Sequence, residues 1–218
     1  MVLRPLRTLL TSPEISNIVV LTQKPEDLRP VLPDDPRVMI RTSECTIAET
    51  IARLIANRAA AFPVLVTTAD HALLDPAMIA EFTSKAAGAD LAIGVVEHSP
   101  MLARFPQAKR TWVSFRGGSY SGANLFAFGS SKALPAVELW RSVEQKRKKG
   151  WRVLAALGPV LLLGAVFRLR TLQQSVDSIG RKLGLSIRIV EMSNPAAAID
   201  VDKPEDHALV ESILAGQA

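Results

Sequence analysis

Short aliphatic, β-branched runs alternate with helical patterns through the first half of this chain, and that alternation limits its possible folds more than any other feature. Asn17–Thr22, Arg37–Arg41, Pro63–Thr67 and Leu91–Val96 each read as a short apolar strand. Continuous apolar runs of this length suit strands buried on both faces. Between the third and fourth runs Asp75 is placed to cap a helix with Pro76 at its first position, and Gly88 ends that helix. Thr46–Arg58 carries Ile47, Ile51, Leu54 and Ile55 at helical spacing, with Thr46 as cap and Glu49 three residues on. The β-α-β-α-β order implies right-handed crossovers and a mainly parallel sheet with helices on both faces. The expected fold class is therefore α/β, a three-layer sandwich.

The middle of the chain departs from this rhythm. Arg110–Phe115 alternates, Arg116–Ser119 reads as a turn, and Asn124–Phe128 as a returning strand, so a hairpin inserted into the mixed sheet is expected. A helical region begins near Leu134 and is broken near Gly150 and again at Gly158-Pro159. Leu172–Leu183 is another helix, ended by Gly184; Ser186–Val190 is a strand, and Pro204 starts a last helix running to about Leu214. No internal repeat or low-complexity segment interrupts the pattern.

The chain has 218 residues, a length suited to one domain, 1–218, and its 48% hydrophobic and 22% charged content supports a folded core. Aromatic content of 5% argues against a base-stacking nucleic-acid surface. The single cysteine, Cys45, excludes an intrachain disulfide and fits a reducing compartment, so a cytoplasmic location is expected. The formal net charge of +5 is compatible with anionic partners or with scattered solvated lysines and arginines, and is densest over Arg141–Arg152. The uncharged run Val153–Phe167 is short for a membrane span and contains Gly158-Pro159. It is read as a buried or interface segment through which copies of the chain could associate.

Two acidic segments carry candidate chemistry. Val64–Asp70 delivers Asp70 just past the carboxyl end of a buried strand, where ligands bind in open α/β sheets. A carboxylate there either holds Mg2+ in a phosphate site or turns the loop. Asp200 and Asp202 stand two residues apart and point the same way on extended backbone. Adjacent carboxylates repel unless a cation or water separates them. Asp202 precedes Lys203-Pro204 and is equally a candidate N-cap, but one Asp suffices for a cap. Glu205 and Asp206 fall in the first helical turn, where acids complement the macrodipole.

Together, Thr67-Thr-Ala-Asp-His-Ala-Leu-Leu-Asp-Pro76 and Ile199-Asp-Val-Asp-Lys-Pro-Glu-Asp206 resemble motifs of the molybdenum-cofactor guanylyltransferase-like nucleotidyltransferases. The wider group includes sugar-nucleotide synthases and cytidylyltransferases. The late motif is similar to the family's Asp-Thr-Pro-Glu-Asp helix start, with Lys203 in place of Thr. The resemblance implies a Rossmann-like, mainly parallel mixed sheet, the type A glycosyltransferase-like fold. It implies transfer of a nucleotidyl group from a nucleoside triphosphate to a phosphorylated or hydroxyl small-molecule acceptor, with release of pyrophosphate. Asp70 and Asp202 would be catalytic, and Asp70, Asp200 and Asp202 would hold Mg2+. Ser43 and Asn124 match the places of a base-side loop and an acceptor-side strand, and Lys109 and Arg110 could meet an anionic substrate. The partners expected are the triphosphate and its acceptor, with no nucleic acid and no transmembrane segment.

The resemblance is incomplete at the start. The family opens with a strand and a Gly-rich loop ending in Arg or Lys, whose N–H groups cradle the triphosphate. Met1–Leu10 resembles instead the helix that follows that loop, with Pro5 inside it. A chain without the loop is expected to be a poor catalyst, which keeps a non-catalytic binding domain of the same fold open as the alternative. The three histidines, His71, His98 and His207, are scattered and form no hydrolytic triad in sequence.

Overall fold

The computed structural model describes residues 1–43, 45–56, 61–145 and 170–216. The apolar run 153–167 and most of the basic segment 141–152 lie outside the described residues. Among those residues the elements are α1 (Leu3–Thr11), β1 (Ile18–Thr22), α2 (Pro25–Leu28), β2 (Val38–Thr42), α3 (Ile47–Ala56), β3 (Val64–Val66), α4 (Pro76–Ala86) and β4 (Leu91–Glu97). They continue with α5 (His98–Arg104), β5 (Val113–Phe115), β6 (Gly118–Phe128), α6 (Leu134–Gln145), α7 (Leu172–Leu183), β7 (Ile187–Glu191) and α8 (Pro204–Leu214).

The central sheet runs β3-β6-β4-β7, with β5 pairing β6; β1 and β2 form a separate parallel pair. β6 is antiparallel to β3, β4 and β5, and β7 is parallel to β4. All strands of the central sheet therefore share one direction except β6. The inserted hairpin supplies that reversed strand, and β6 lies between β3 and β4 in the middle of the sheet. It is longer than its sequence suggested, because Gly118–Gly122 also pairs. The opposing strand is shorter: Arg110–Trp112 stays outside β5, which starts at Val113.

Alternation along the strands sorts the core into two faces. Leu65, Ala92, Leu125, Ala127 and Val190 face one cluster, with Met78, Ile79 and Phe82 of α4, Met101 of α5 and Leu209 and Val210 of α8. Val64, Val66, Leu91, Ile93, Phe126, Phe128 and Ile187 face the other, with Ile51 and Ile55 of α3 and Val137 of α6. The period of two puts neighbouring residues on opposite faces, so helices cover the sheet on both sides. Phe82, Met101, Ile79 and Leu125 are wholly or almost wholly buried, and each such side chain contributes about 1.5–3 kcal/mol through burial.

Local chemistry explains the helix ends. Asp75 Oδ1 accepts the Met78 amide at 2.7 Å, and Pro76 follows at the first helical position. Thr46 Oγ1 accepts the Glu49 amide at 3.4 Å. Pro5 is tolerated because it sits in the first turn of α1, where backbone amides have no helical partner. Thr171 and Gln174 cap α7 reciprocally. No described helix is long and apolar enough to cross a membrane.

Candidate metal and nucleotide site

Because β3 and β7 run the same way, the loops after them leave the same end of the sheet. Asp70 sits four residues past β3, and Asp200 and Asp202 follow β7 and the short 3-10 turn Pro195–Ala198. The Val201 amide donates to the Asp70 carbonyl oxygen at 3.1 Å and ties the two loops together. Carboxylate oxygens of Asp70, Asp200 and Asp202 all come within 4.8 Å of one another. A set of only oxygen donors this close suits a hard divalent cation, which would offset the mutual repulsion of the carboxylates.

The other partners in the cluster are fixed by the hairpin. Between Ile93 and Val95 of β4 the register slips, so that Gly94 faces the stretch Ala123–Leu125 of β6. This bulge turns Asn124 to a φ of +49°, a left-handed conformation that Asn adopts more readily than most residues. Gly94 makes room for it: a Cβ there would stand 3.0 Å from the Leu125 Cβ. From this position Asn124 Nδ2 donates to Asp200 Oδ2 at 2.8 Å. The guanidinium of Arg110 donates to Asp200 Oδ1 through Nη1 and to the Asp200 carbonyl through Nη2, the latter at 2.9 Å. Both carboxylate oxygens of Asp200 therefore have protein partners.

Asp70 accepts the Thr68 hydroxyl, and Asp202 is the exposed member of the cluster. Asp202 is not the cap of α8. Lys203 occupies that position, and the Asp206 carboxylate accepts the amides of Lys203 at 3.0 Å and Asp202 at 3.2 Å. With the cap supplied by Asp206, the Asp202 side chain is left for other work. His71, next to Asp70, is fully buried; its Nδ1 lies 3.2 Å from Thr67 Oγ1, and Nε2 has no hydrogen-bond partner. Burial outweighs the pull of Asp70, Asp200 and Asp75 and pushes the His71 imidazole down to about 4, so the ring is neutral at pH 7.

The sequence-derived candidates thus separate. Asp70, Asp200, Asp202, Asn124 and Arg110 form one connected group. Lys109 points outward and pairs with Glu205 at 3.5 Å, both well exposed. Ser43, at the end of β2, spends its hydroxyl on Thr50 Oγ1 at 2.8 Å and the Cys45 carbonyl at 3.3 Å. Thr68 and the Arg110–Asp200 pair were not read from sequence: Thr68 has no motif of its own, and the pair spans 90 residues.

No family model matches the sequence, and no curated protein matches it. Solved structures do. A structure described as a hypothetical transferase from Thermus thermophilus superposes with a TM-score of 0.79 at 26% identity, covering 94% of this chain and 85% of that one. 4-Diphosphocytidyl-2C-methyl-D-erythritol synthase from Anaerococcus prevotii gives 0.60 at 11% identity, covering 98% and 85%. CMP:2-keto-3-deoxy-manno-octonic acid synthetase, solved with CTP, gives 0.60 at 10% identity, covering 100% and 88%. The fold is that of the nucleotidyltransferases, a mainly parallel α/β sandwich whose carboxyl-end loops here bear a three-aspartate cluster.

Proposed function

We propose that this protein transfers a nucleotidyl group from a nucleoside triphosphate to a phosphorylated or hydroxyl-bearing small molecule, with release of pyrophosphate. The observation that carries the reading is the approach of Asp70, Asp200 and Asp202 within 4.8 Å at the carboxyl end of a nucleotidyltransferase-fold sheet. These three residues would hold Mg2+, with Asp70 and Asp202 next to the reacting phosphate. Bound there, the ion would neutralise phosphate charge and polarise the α-phosphate toward attack. The chain's own contribution is positioning. The Val201–Asp70 backbone bond and the Asn124–Asp200 bond hold the carboxylates in place before any ligand arrives.

The late motif Asp200-Val-Asp-Lys-Pro-Glu-Asp206 supports a molybdenum-cofactor guanylyltransferase-like branch, whereas two of the structural neighbours carry cytidylyl chemistry in their names. GTP and CTP are therefore the first nucleotides to test. Asn124, Arg110, Lys109 and Ser43 are the proposed substrate-side residues. The protein is proposed to act as a single domain, in the cytoplasm, with association through the run 153–167.

A pyrophosphate-release assay with Mg2+, the four common triphosphates and a panel of phosphosugar and cofactor acceptors tests the reading. Turnover with one pair, lost on Asp70→Asn or Asp202→Asn, supports it. Metal-dependent nucleotide binding without turnover in any pair would replace it with a non-catalytic binding domain, a reading favoured by the occupation of Asp200 by Arg110. Absence of both would sink the proposal.

A further inference from the structure

The cation already present in the aspartate cluster is a side chain. Arg110 is nine-tenths buried, with 10% of its side chain exposed, and Asp200 is 19% exposed. A guanidinium has five donors in a planar fork and is suited to two-point binding of carboxylate or phosphate. Here Nη1 and Nη2 are spent on Asp200, while Nε is buried without a hydrogen-bond partner. The fork is therefore only partly satisfied where it stands. It also engages one oxygen of the Asp200 carboxylate, a group that a divalent cation held by Asp70, Asp200 and Asp202 would need.

We propose that Arg110 is the phosphate-binding group of this site, held in reserve on Asp200 and released when a divalent cation takes over that carboxylate. The inference rests on the metal reading above and adds a coupling to it. Metal and phosphate ligand bind together, because each removes the partner that blocks the other. Reciprocity follows: the factor by which metal raises phosphate affinity equals the factor by which phosphate raises metal affinity. The ligand class is a phosphate ester, either the tail of the nucleotide or a phosphate on the acceptor.

The decisive experiment removes the metal. Binding of glycerol phosphate and of CTP is titrated in chelator, with the full-length wild-type chain and with Asp200→Asn, Asp202→Asn and Asp200→Asn/Arg110→Gln. Asp200→Asn frees the guanidinium and should tighten metal-free phosphate binding about tenfold, the usual scale of a coupling between two sites. Asp202→Asn removes the same charge without touching Arg110 and should change it less than about threefold. The double variant should return to weak binding. Tightening with glycerol phosphate assigns Arg110 to the acceptor, and tightening with CTP alone to the nucleotide.

Equal effects of Asp200→Asn and Asp202→Asn, or tight binding by the double variant, would overturn the proposal. Thermal melts check that each variant folds. If Asp200→Asn does not fold, Arg110→Gln alone decides. It should lower phosphate affinity in saturating Mn2+ about tenfold while leaving the metal-free affinity weak and unchanged; no loss in Mn2+ overturns the proposal. Direct Mn2+ titration of wild type and Asp202→Asn is read separately. Its failure counts against the metal site itself, whereas the metal-free arm reports on Arg110 alone.

Discussion

Asn124 and Asp200 lie 76 residues apart in the chain and are joined by a 2.8 Å hydrogen bond, which Asn124 makes from a backbone φ of +49°. The bond exists because the bulge in β6 turns one residue out of the strand pattern and over the carboxyl end of the sheet. Two causes can therefore be separated by mutation. Asn124→Gly keeps the backbone and loses only the hydrogen bond to the carboxylate, at about 1.5–3 kcal/mol. Asn124→Ala loses the bond and also places there a residue that adopts the left-handed region less readily than Asn or Gly, a further cost of about 1 kcal/mol. Urea denaturation of both variants should rank Ala below Gly. The reverse order would show that the bulge relaxes in the variant.

Asp202 leaves a different signature. Its side chain neither caps α8 nor accepts a hydrogen bond that holds the fold, and it adds a third negative charge to Asp70 and Asp200. Asp202→Asn should leave the stability of the metal-free protein within about 0.5 kcal/mol of wild type, as for exposed positions generally. Asp206→Ala should cost about 1 kcal/mol, because that carboxylate accepts the amides of Asp202 and Lys203, the two residues that lead into α8. Calorimetric melts in chelator compare the two. A larger loss for Asp202→Asn would return the capping role to it.

Much of the architecture was legible because it follows from local patterns. The β-branched runs, the Asp75-Pro76 start and the Thr46 cap each use a residue whose chemistry acts within four positions. The short helix α5 was missed because Pro100 and a charged flank dilute any periodicity over seven residues. Asp70, Asp200 and Asp202 could be singled out as candidates because strand direction brings carboxyl-end loops together. The contacts of Asp200 could not: Asn124 and Arg110 are readable as substrate-side candidates but not as partners of that carboxylate. Arg110 reads in sequence as the start of a strand, and only the shorter β5 frees it to reach back over 90 residues. Asn124 sits in an apolar strand pattern, and its left-handed φ depends on a register slip that no single strand encodes. Asp202 is readable in sequence either as a metal ligand or as the helix cap; the capping contacts fall instead to Asp206, four residues on, which closes the turn from inside the helix.

Asp90 clasps the start of β4 to the segments that follow α7 and β6. Its Oδ2 accepts the Ser186 amide at 2.9 Å and the Ser186 hydroxyl at 3.1 Å, and its Oδ1 accepts the Ser130 hydroxyl at 2.7 Å. The Ser186 amide, with the serine hydroxyls, holds the Asp90 carboxyl below its ordinary value of 3.8. A carboxylate whose folded value is depressed stabilises the protein above the unfolded value and loses that contribution as pH falls through the lower, folded one. The Asp90→Asn variant should therefore be less stable than wild type at neutral pH, with the gap closing as pH drops below about 4. Melting temperatures measured from pH 7 down to 3 check this. A gap independent of pH would mean that the charge of Asp90 contributes nothing.

Gly129 closes the same end of the sheet and tolerates no side chain. It follows β6 directly, and its amide donates to the Asp90 carbonyl oxygen at 2.9 Å. A Cβ built on it would lie 2.1 Å from the Ala89 carbonyl oxygen, inside the contact distance of carbon and oxygen. The obstructing atom is backbone, so relief cannot come from a rotamer change. Either the turn before β4 or the end of β6 must move, and the move would strain the Gly129–Asp90 bond and the Ser130–Asp90 contact beside it. Overpacking of this kind costs about 3 kcal/mol, a large share of the stability of an ordinary domain. Gly129→Ala should lower the denaturation midpoint accordingly. Gly122→Ala, on the same strand with open space around its Cβ position, should change it by less than about 1 kcal/mol. Chemical denaturation of the two alanine variants side by side measures the difference, and equal midpoints would show that the Ala89 carbonyl can yield.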